Sequence, residues 1–257
     1  MNKDKRLSTN SDINVGDILV AIPLSTDESI YIRTVILIVE HGHFGTIGFI
    51  INKHMEIEVN DTLDDFPECN SILVYGGPWG DDLIHFIHTV GMSISGSREI
   101  VPGIYWDGNL EVIKILIESG RITKENIVFV AGSTQWEPGQ LREEIDGGLW
   151  IKMKITPEMK MDIFSEDRRT MLWEETLRGL GGNYAVYANF PNDPSENWAV
   201  QLRKMLRHDD EAFFVLFQEY YWLVVILCDF IFVVALVVAL VSRLSTFWIC
   251  SLVWRPA

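Results

Sequence analysis

Three side chains in the middle of the chain have the types and spacing of a small binding cleft. Gln140 and Glu144 lie four residues apart on a predicted helix and Trp136 directly precedes that helix, so the two polar groups project along one flank beside the aromatic ring. Ligand pockets commonly combine an aromatic wall with a few polar groups. The same residues also suit a structural role, because buried polar side chains usually bond to their own fold. Both roles stay open on the sequence alone.

The histidines predict neither a metal site nor a cofactor. His41 and His43 flank a glycine in a turn, whereas His85 and His88 lie in one predicted strand. Residues three apart in a strand point to opposite faces, so the second pair does not converge. A metal needs three or four converging ligands with supporting partners. His88 is instead expected to form a buried hydrogen bond.

Motifs for nucleophilic and phosphate chemistry fail on their spacing. The serines at 93, 95 and 97 do not form a G-x-S-x-G turn followed by a helix. The glycines around Gly76 and Gly77 lack the lysine and the helix of a phosphate loop, and predict a tight turn. An enzyme is kept as the alternative hypothesis, with Asn52, His88 and Glu144 acting in one cleft. It requires these side chains to lie within about 10 Å of one another.

Hydrophobic periodicity predicts an α+β fold with a mainly antiparallel sheet and flanking helices. Runs rich in β-branched and aromatic residues come first at hairpin spacing, and helices enter later, which is unlike a doubly wound α/β chain. The predicted strands are 17–23, 30–40, 46–52, 71–75, 83–90, 98–105, 126–133 and 149–154. The predicted helices are 60–66, 109–119, 138–146, 156–163 and 167–179.

Residues 132–150 predict a strand–helix–strand corner that would position the candidate cleft. Pro138 suits the first turn of a helix, where its missing N–H costs no hydrogen bond. Leu141 and Ile145 then share one face, and two glycines at 147 and 148 end the helix. Trp136 would stand at the positive end of the helix dipole.

This corner resembles the signature of the AlgH/YqgE family, W-x-P-G-Q-L-x-x-E-I followed by an aliphatic residue and tryptophan. Further motifs of that family follow in the same order along residues 15–197. They are the opening strand 16–23, a second strand 33–41, the G-x-x-G-x-x-x-N hairpin with Gly48 and Asn52, the Gly76-Gly77-Pro78 segment with His88, the Pro138-Gly139 pair, and Trp173 with Leu180-Gly181.

The resemblance implies a single α+β domain, cytosolic in bacteria and often labelled a transcriptional regulator. It brings no catalytic mechanism. The candidate ligand- or partner-binding residues are Asn52, His88, Trp136, Gln140 and Glu144, and the structural motif residues are Gly48, Gly76, Gly77, Pro78, Pro138 and Gly139.

Charge argues against direct contact with nucleic acid. The chain has a net charge of −15, and residues 198–257 carry five basic and five acidic residues, so the whole excess lies in residues 1–197. A domain this acidic repels a phosphate backbone, and the sequence has no basic stripe to offset that repulsion. A regulatory or adaptor domain that acts through a protein or a small ligand fits this charge better.

Cysteine usage and the N-terminus indicate a cytoplasmic domain. The three cysteines at 69, 228 and 250 form no pair with the spacing of a disulfide framework or a zinc site. Residues 1–14 are polar, predict a disordered lead and contain no apolar signal segment. Acidic neighbours are expected to raise the pKa of the Cys69 thiol, which makes a redox role unfavourable.

Residues 220–241 predict a transmembrane helix. They contain one charged residue, Asp229, and as a helix would extend about 33 Å, which matches the hydrocarbon core. Aromatic residues at 220–222 suit the interface, and the basic residues at 203–207 favour a cytoplasmic N-terminal domain. Residues 198–219 then form a linker and 242–257 a short tail. The alternative is that residues 198–257 are an unselected extension of the domain.

Overall fold

In the part of the chain that the structure describes, ten strands form one curled, mainly antiparallel sheet, with five helices packed on its faces. The computed structural model describes residues 12–22 and 29–189. The predicted lead up to residue 11, the linker 198–219, the apolar segment 220–241 and the tail 242–257 lie outside the described residues. Within the described ranges, no helix is long and apolar enough to cross a membrane.

The strands and helices have the following bounds. The strands are β1 Asp17–Ala21, β2 Val35–Gly42, β3 Gly45–Ile50, β4 His54–Glu58, β5 Ile72–Tyr75, β6 Trp79–His88, β7 Arg98–Val101, β8 Ile104–Trp106, β9 Ile127–Trp136 and β10 Trp150–Lys154. The helices are α1 Leu110–Glu118, α2 Gln140–Asp146, α3 Pro157–Asp162, α4 Glu166–Leu180 and α5 Gly182–Tyr187.

Strand β9 is the centre of the sheet. The order along the main path is β10-β1-β2-β3-β9-β6-β8-β7, and β5 joins β9 from the side and carries β4. Most pairs are antiparallel, while β5 and β9 run parallel through Val74 with Val130 and Tyr75 with Ala131. The predicted α+β class with a mainly antiparallel sheet is therefore confirmed.

Side-chain alternation divides the apolar residues between the two faces of the sheet. In β1 and β2, Ile18, Val20, Val35 and Leu37 face a large core that α3 and α4 cover. This core continues across β5, β6 and β9, and Trp173 of α4 is buried in it at 1% exposure. The indole N–H of Trp173 donates to the carbonyl of Ala21 at 2.9 Å, which holds α4 against the C-terminal end of β1.

The opposite face holds two separate cores. One lies under α1, where Ile113 and Ile117 pack on Phe86 and Phe129. The other lies under α2 and contains eight buried residues: Leu19, Ala21, Ile36, Ile38, Ile50, Trp136, Leu141 and Trp150. The continuous apolar runs of β1, β2 and β9 therefore follow from burial on both faces.

Several predicted elements differ from the observed ones because a local hydrogen bond or turn overrides the pattern. The predicted helix 60–66 is only a 3-10 turn at Val59–Asp61, since the Asn60 side chain binds the carbonyls of Phe66 and Pro67 and the N–H of Cys69. The predicted strand 98–105 is the hairpin β7–β8, whose turn contains Gly103 with φ +87°.

Other boundaries moved for similar reasons. The second strand begins at Val35 rather than residue 30, because a 3-10 turn occupies Ser29–Tyr31 and Arg33 has a left-handed φ of 55°. Strand β4 and helix α5 were not predicted. Residues 12–14 of the predicted lead contact the fold, since Lys152 Nζ donates to the carbonyl of Asp12 at 2.6 Å.

The loop between β5 and β6 crosses β9 at van der Waals distance. A Cβ on Gly76 would lie 2.3 Å from the carbonyl oxygen of Gly132, and one on Gly77 would lie 2.3 Å from that of Ser133. Gly132 itself has φ +71°, and its Cβ would lie 2.4 Å from the carbonyl oxygen of Gly77. Both backbones therefore require glycine here, as expected for a close approach of two chain segments.

Replacing Gly132 with alanine should cost much more than its left-handed conformation alone. Gly103 has a similar φ of +87° but no atom within 4 Å of its would-be Cβ, so Gly103→Ala isolates the conformational cost, about 1–2 kcal/mol. Gly132→Ala adds a clash with backbone, so we expect a loss of roughly 3 kcal/mol or more in urea unfolding. Equal losses for the two variants would contradict the close approach.

Candidate functional site

The carboxylate of Glu144 lies at the centre of the candidate cleft and is held by three donors. Trp136 Nε1 and Trp150 Nε1 donate to Glu144 Oε2 at 2.8 and 2.7 Å. Gln140 Nε2 donates to Glu144 Oε1 at 2.9 Å. Charge-assisted hydrogen bonds of this kind are the stronger ones in proteins. The cluster joins β9, α2 and β10 through one side chain.

Gln140 completes the start of helix α2. Its Oε1 accepts from the backbone N–H of Glu137 at 3.0 Å, which occupies the other half of its amide. The helix begins at Gln140 with Gly139 as its N-cap at φ 90°. Pro138 therefore lies in the turn before the helix and not in its first turn, which corrects the sequence prediction. Gly148, at φ 75°, ends the helix as predicted.

The structure thus brings Trp136, Gln140 and Glu144 together, and their polar groups bind one another. Trp136 is 5% exposed and packs edge-on against Trp150 at 6.2 Å between ring centroids. The described geometry gives this cluster a clear structural role, namely to fix α2 over its core. Gly48 supports it, since a Cβ there would lie 3.3 Å from the Trp136 ring and 2.6 Å from Ile36.

A shallow cavity of about 410 Å³ adjoins this corner. His41, Thr46, Gly139, Leu141 and Arg142 line it, together with Asp12 and Ile13. His41 Nδ1 and Thr46 Oγ1 lie 2.7 Å apart, while Arg142 Nε is 3.8 Å from Asp146 Oδ2. The cavity offers few polar contacts that converge on one point, so its chemistry does not indicate a reaction.

Asn52 connects two backbone segments. Its Oδ1 accepts from the N–H of Val35 at 2.7 Å, and its Nδ2 donates to the carbonyl of Arg33 at 2.8 Å. Both halves of the amide are used, and the residue is 9% exposed. The side chain holds the left-handed turn at Arg33 against the end of β3, so a structural role accounts for it.

His88 is fully buried in a pair with Ser97. Its Nε2 lies 3.0 Å from Ser97 Oγ and 3.1 Å from the carbonyl of Asp107, and its ring stacks on Tyr105. Burial, the largest influence, lowers the pKa of His88, so the ring is neutral near pH 7. Because the carbonyl oxygen of Asp107 can only accept a hydrogen bond, His88 Nε2 carries the hydrogen in the neutral ring. Ser97 Oγ donates to the carbonyl of Ile94 at 2.8 Å, and Ser97 is 7% exposed, so the pair is shielded from solvent.

His88 and Glu144 do not share a cleft. His88 pairs with Ile127 at one end of β9, whereas the Glu144 carboxylate binds Trp136 at the other end. Nine residues of strand separate these positions, which places the two side chains roughly 20 Å or more apart. The structure therefore does not form the single cleft of Asn52, His88 and Glu144 that the enzyme alternative requires.

A buried arginine is the main feature that the sequence did not predict. Arg169 is 5% exposed and donates from Nη1 to the carbonyl of Ile163 at 3.0 Å and from Nε to His54 Nε2 at 3.4 Å. Burial lowers the pKa of Arg169 to about 10, which leaves it a fixed cation near neutral pH. Burial, and secondarily the charge of Arg169, lower the pKa of His54. Arg168 and Arg169 are adjacent in the sequence, and no pattern around them indicates that Arg169 is the buried one.

Arg169 lines a cavity of about 470 Å³ between the sheet and the turn from α3 to α4. Three carboxylates, Glu125, Glu166 and Asp167, line the same cavity with Lys124. A free anion would meet more negative than positive charge there, so the guanidinium is explained best as the group that caps the end of α3. Within the described residues, no group of three histidine, cysteine or acidic side chains is placed to hold a metal.

Cys69 is half-buried, and burial, the largest influence, raises the pKa of its thiol. The charge of Glu58 also raises this pKa, while Ser71 lowers it. The predicted direction is confirmed, but its main cause is burial and not the acidic neighbours.

The fold and this corner define a class of α+β domains with a curled sheet and a glycine-rich crossing. The family model DUF179, described as AlgH-like, matches residues 18–185. The chain therefore belongs to the AlgH-like family, and the resemblance inferred from its motifs is confirmed.

Individual relatives agree with this assignment. A UPF0301 protein of Chlorobaculum parvum is 36% identical over 72% of this chain and 96% of its own length. A crystal structure of a protein from Corynebacterium diphtheriae matches with a TM-score of 0.55 at 21% identity, over 70% of this chain and 93% of that one. The solution structure of AlgH from Pseudomonas aeruginosa gives a TM-score of 0.54 at 22% identity, over 72% and 96%. At these levels of sequence identity, the two structures show that the fold is shared.

Replacing Glu144 with glutamine should destabilise the domain. The remaining amide oxygen can still accept from both indole N–H groups, but without a charge, and the new NH₂ group then faces Gln140 Nε2, which loses its acceptor. We expect a loss of about 2–3 kcal/mol in urea unfolding, followed by tryptophan fluorescence. Glu143→Gln is the matched control, because Glu143 is exposed on the same helix and should change stability by less than about 0.5 kcal/mol. Similar stabilities for the two variants would contradict a structural role for the hydrogen bonds around Glu144.

Proposed function

We propose that this protein is a non-enzymatic regulatory or adaptor domain that acts by binding a protein partner and does not contact DNA directly. A small ligand is the second class of partner that the same hypothesis admits. The observation that carries the proposal is the charge of the domain. Its described residues include 26 acidic and 13 basic side chains, a net charge of −13.

Many of the basic side chains are also paired with carboxylates of the same domain. The basic side chains among the described residues are largely engaged: Lys154 and Lys152 lie 2.5 and 3.7 Å from the buried Asp17 carboxylate, and Arg168 binds Glu175 and Asp162. Basic groups that already pair with carboxylates of the domain are less available to neutralise phosphates. A transcriptional role, if the chain has one, would then pass through a protein and not through a DNA groove.

The internal bonding of the candidate polar residues supports a binding function over a catalytic one. Glu144, Asn52 and His88 each bind groups of their own fold, as described above. Catalytic groups need reactive atoms that a substrate can approach in one place. Recognition by a surface makes no such demand.

Binding measurements on the full chain test both parts of the proposal. A fluorescent 30-base-pair duplex should show no saturable binding at 50 mM or 150 mM NaCl, because the acidic surface repels it. Affinity purification of the full chain after in-cell crosslinking should recover one protein in stoichiometric amount. Tight, sequence-dependent binding of the duplex would overturn the proposal, and a chain that is recovered alone would overturn the protein partner in favour of a small ligand.

We also propose that residues 220–241 tether the domain to a membrane from its cytoplasmic side. The support is the sequence: twenty-two residues with one charge, aromatic residues at one end and basic residues before them. These residues lie outside the described ranges. The alignment with the relative from Chlorobaculum parvum spans 96% of that protein and 72% of this chain, so about a quarter of this chain lies outside the shared region.

Cell fractionation tests the tether. The full chain should sediment with membranes and resist extraction by carbonate or high salt, whereas residues 1–197 should stay in the supernatant. An intermediate variant, with Val233 and Val234 both replaced by lysine, keeps the length but adds two charges to the apolar run, and should reduce the membrane fraction. Equal supernatant fractions for the full chain and the truncation would contradict the tether.

A further inference from the structure

Two large apolar side chains are exposed at the start of β6. Trp79 is 58% exposed and Leu83 is 57% exposed. Trp79 precedes a bulge and Leu83 lies within it, since Trp79 pairs with Ser133 of β9 and the next paired residue, Ile84, lies opposite Ala131. Three more residues are therefore present on β6 than on β9 between these two pairs. The bulge turns the start of β6 away from the sheet and leaves both side chains on the surface.

The backbone beside this bulge packs closely against β9. The carbonyl of Trp79 is 3.4 Å from Ser133 Oγ and would be 3.2 Å from a Cβ on Gly132. The preceding Gly77 lies against Ser133 and Thr134 at closer range. Side chains that project from a fixed backbone lose little entropy on binding, which is what an interface anchor requires. The exposure of Trp79 and Leu83 is thus a consequence of the way the loop between β5 and β6 crosses β9.

The residues between the two apolar side chains are acidic. Asp81 and Asp82 are exposed, and neither forms an ion pair with another side chain in the part of the chain that the structure describes. The nearby Tyr75 senses this charge: burial and then Asp81 raise the pKa of its phenol. The exposed surface therefore combines an aromatic ring, an aliphatic side chain and two carboxylates without local neutralisation.

We propose that Trp79, Asp81, Asp82 and Leu83 form the docking surface for a basic segment of the protein partner. The indole and the leucine would pack on apolar side chains of that segment, and the carboxylates would pair with its lysines or arginines. This inference rests on the proposed function and specifies the chemistry of the partner. Tryptophan is the residue type most enriched among dominant interface contacts. Complementary charge in turn favours encounter and excludes acidic competitors.

Other occupants fit this surface less well. Anionic lipid and nucleic acid would meet Asp81, Asp82 and the net charge of the domain. Addition of a strand to the edge of β6 is disfavoured, because the bulge between Trp79 and Ile84 interrupts the regular row of backbone groups that a new strand needs. A second copy of this chain would bring its own net negative charge to this acidic surface.

Selection from a random peptide library tests the docking surface directly. The full chain, immobilised in detergent micelles, is presented with phage that display random twelve-residue peptides. We expect enriched peptides to contain at least two lysines or arginines beside a leucine or an aromatic residue. Their affinity should fall roughly tenfold or more for the Trp79→Ser/Leu83→Ser double variant. It should fall several-fold for Asp81→Asn/Asp82→Asn and also as salt is raised.

Two control variants separate this surface from general stickiness. Ile115→Ala removes an apolar side chain that is 62% exposed on α1, and Glu118→Gln removes an exposed charge on the same helix. Neither should change peptide affinity. All variants should keep the melting temperature of the parent, because the replaced side chains are on the surface. Peptides without basic residues, or peptides that bind the two double variants as tightly as the parent, would overturn the docking surface.

Outcomes of this test separate it from the proposed function. If crosslinking recovers a stoichiometric partner whose binding is unchanged in Trp79→Ser/Leu83→Ser, the docking surface is wrong and the adaptor function stands. If no protein partner is recovered, the docking surface is wrong and the proposed function is left with a small ligand as its partner. Self-association of the full chain that the same double variant abolishes, measured by light scattering, would assign the surface to a second copy and overturn the basic partner.

Discussion

The close crossing of two backbones at Gly76-Gly77 and Gly132 is the constraint on which the sheet depends. Strand β9 must pair with β6 along one edge and with both β5 and β3 along the other. Two strands can pair with the same edge of β9 only if the pairing with β5 ends where the pairing with β3 begins. Gly76 makes this exchange: its N–H donates to Ala131 at 2.7 Å, and its carbonyl accepts from Ile50 at 2.9 Å and from Thr134 Oγ1 at 3.2 Å. A side chain at this point would separate the strands.

Because the crossing joins the two halves of the sheet, it also determines how the cores are arranged. The sheet curls around the large core under α3 and α4, which receives residues from both halves. The outer face is left as two separate surfaces, one covered by α1 and the other by α2. Helix α2 has only seven residues, too few to be stable by itself, so it needs the Glu144 carboxylate and its two indole partners to hold it in place.

The sequence was sufficient for those features that depend on local pattern. Apolar runs located β1, β2 and β9, and the proline, glycines and four-residue spacing located the corner around α2. What it could not supply was the partner of each polar group. Gln140 and Glu144 were correctly placed on one flank, but the second indole on Glu144 comes from Trp150 in another strand. The helix predicted at 60–66 failed for the same reason, since the Asn60 side chain bonds to backbone up to nine residues away.

The candidate site also depended on bonding partners that the sequence does not reveal. Residues that carry the family signature were the natural candidates for function, yet the structure uses Asn52, His88 and Glu144 to hold its own backbone and rings. A polar group that is already bonded within the fold has little free energy left to offer a ligand, because a new partner must first displace the old one. Exposed side chains such as those of Trp79 and Leu83 carry no such cost. Their backbone is fixed by the glycine crossing, so the feature that permits the sheet to form also determines where these two side chains project.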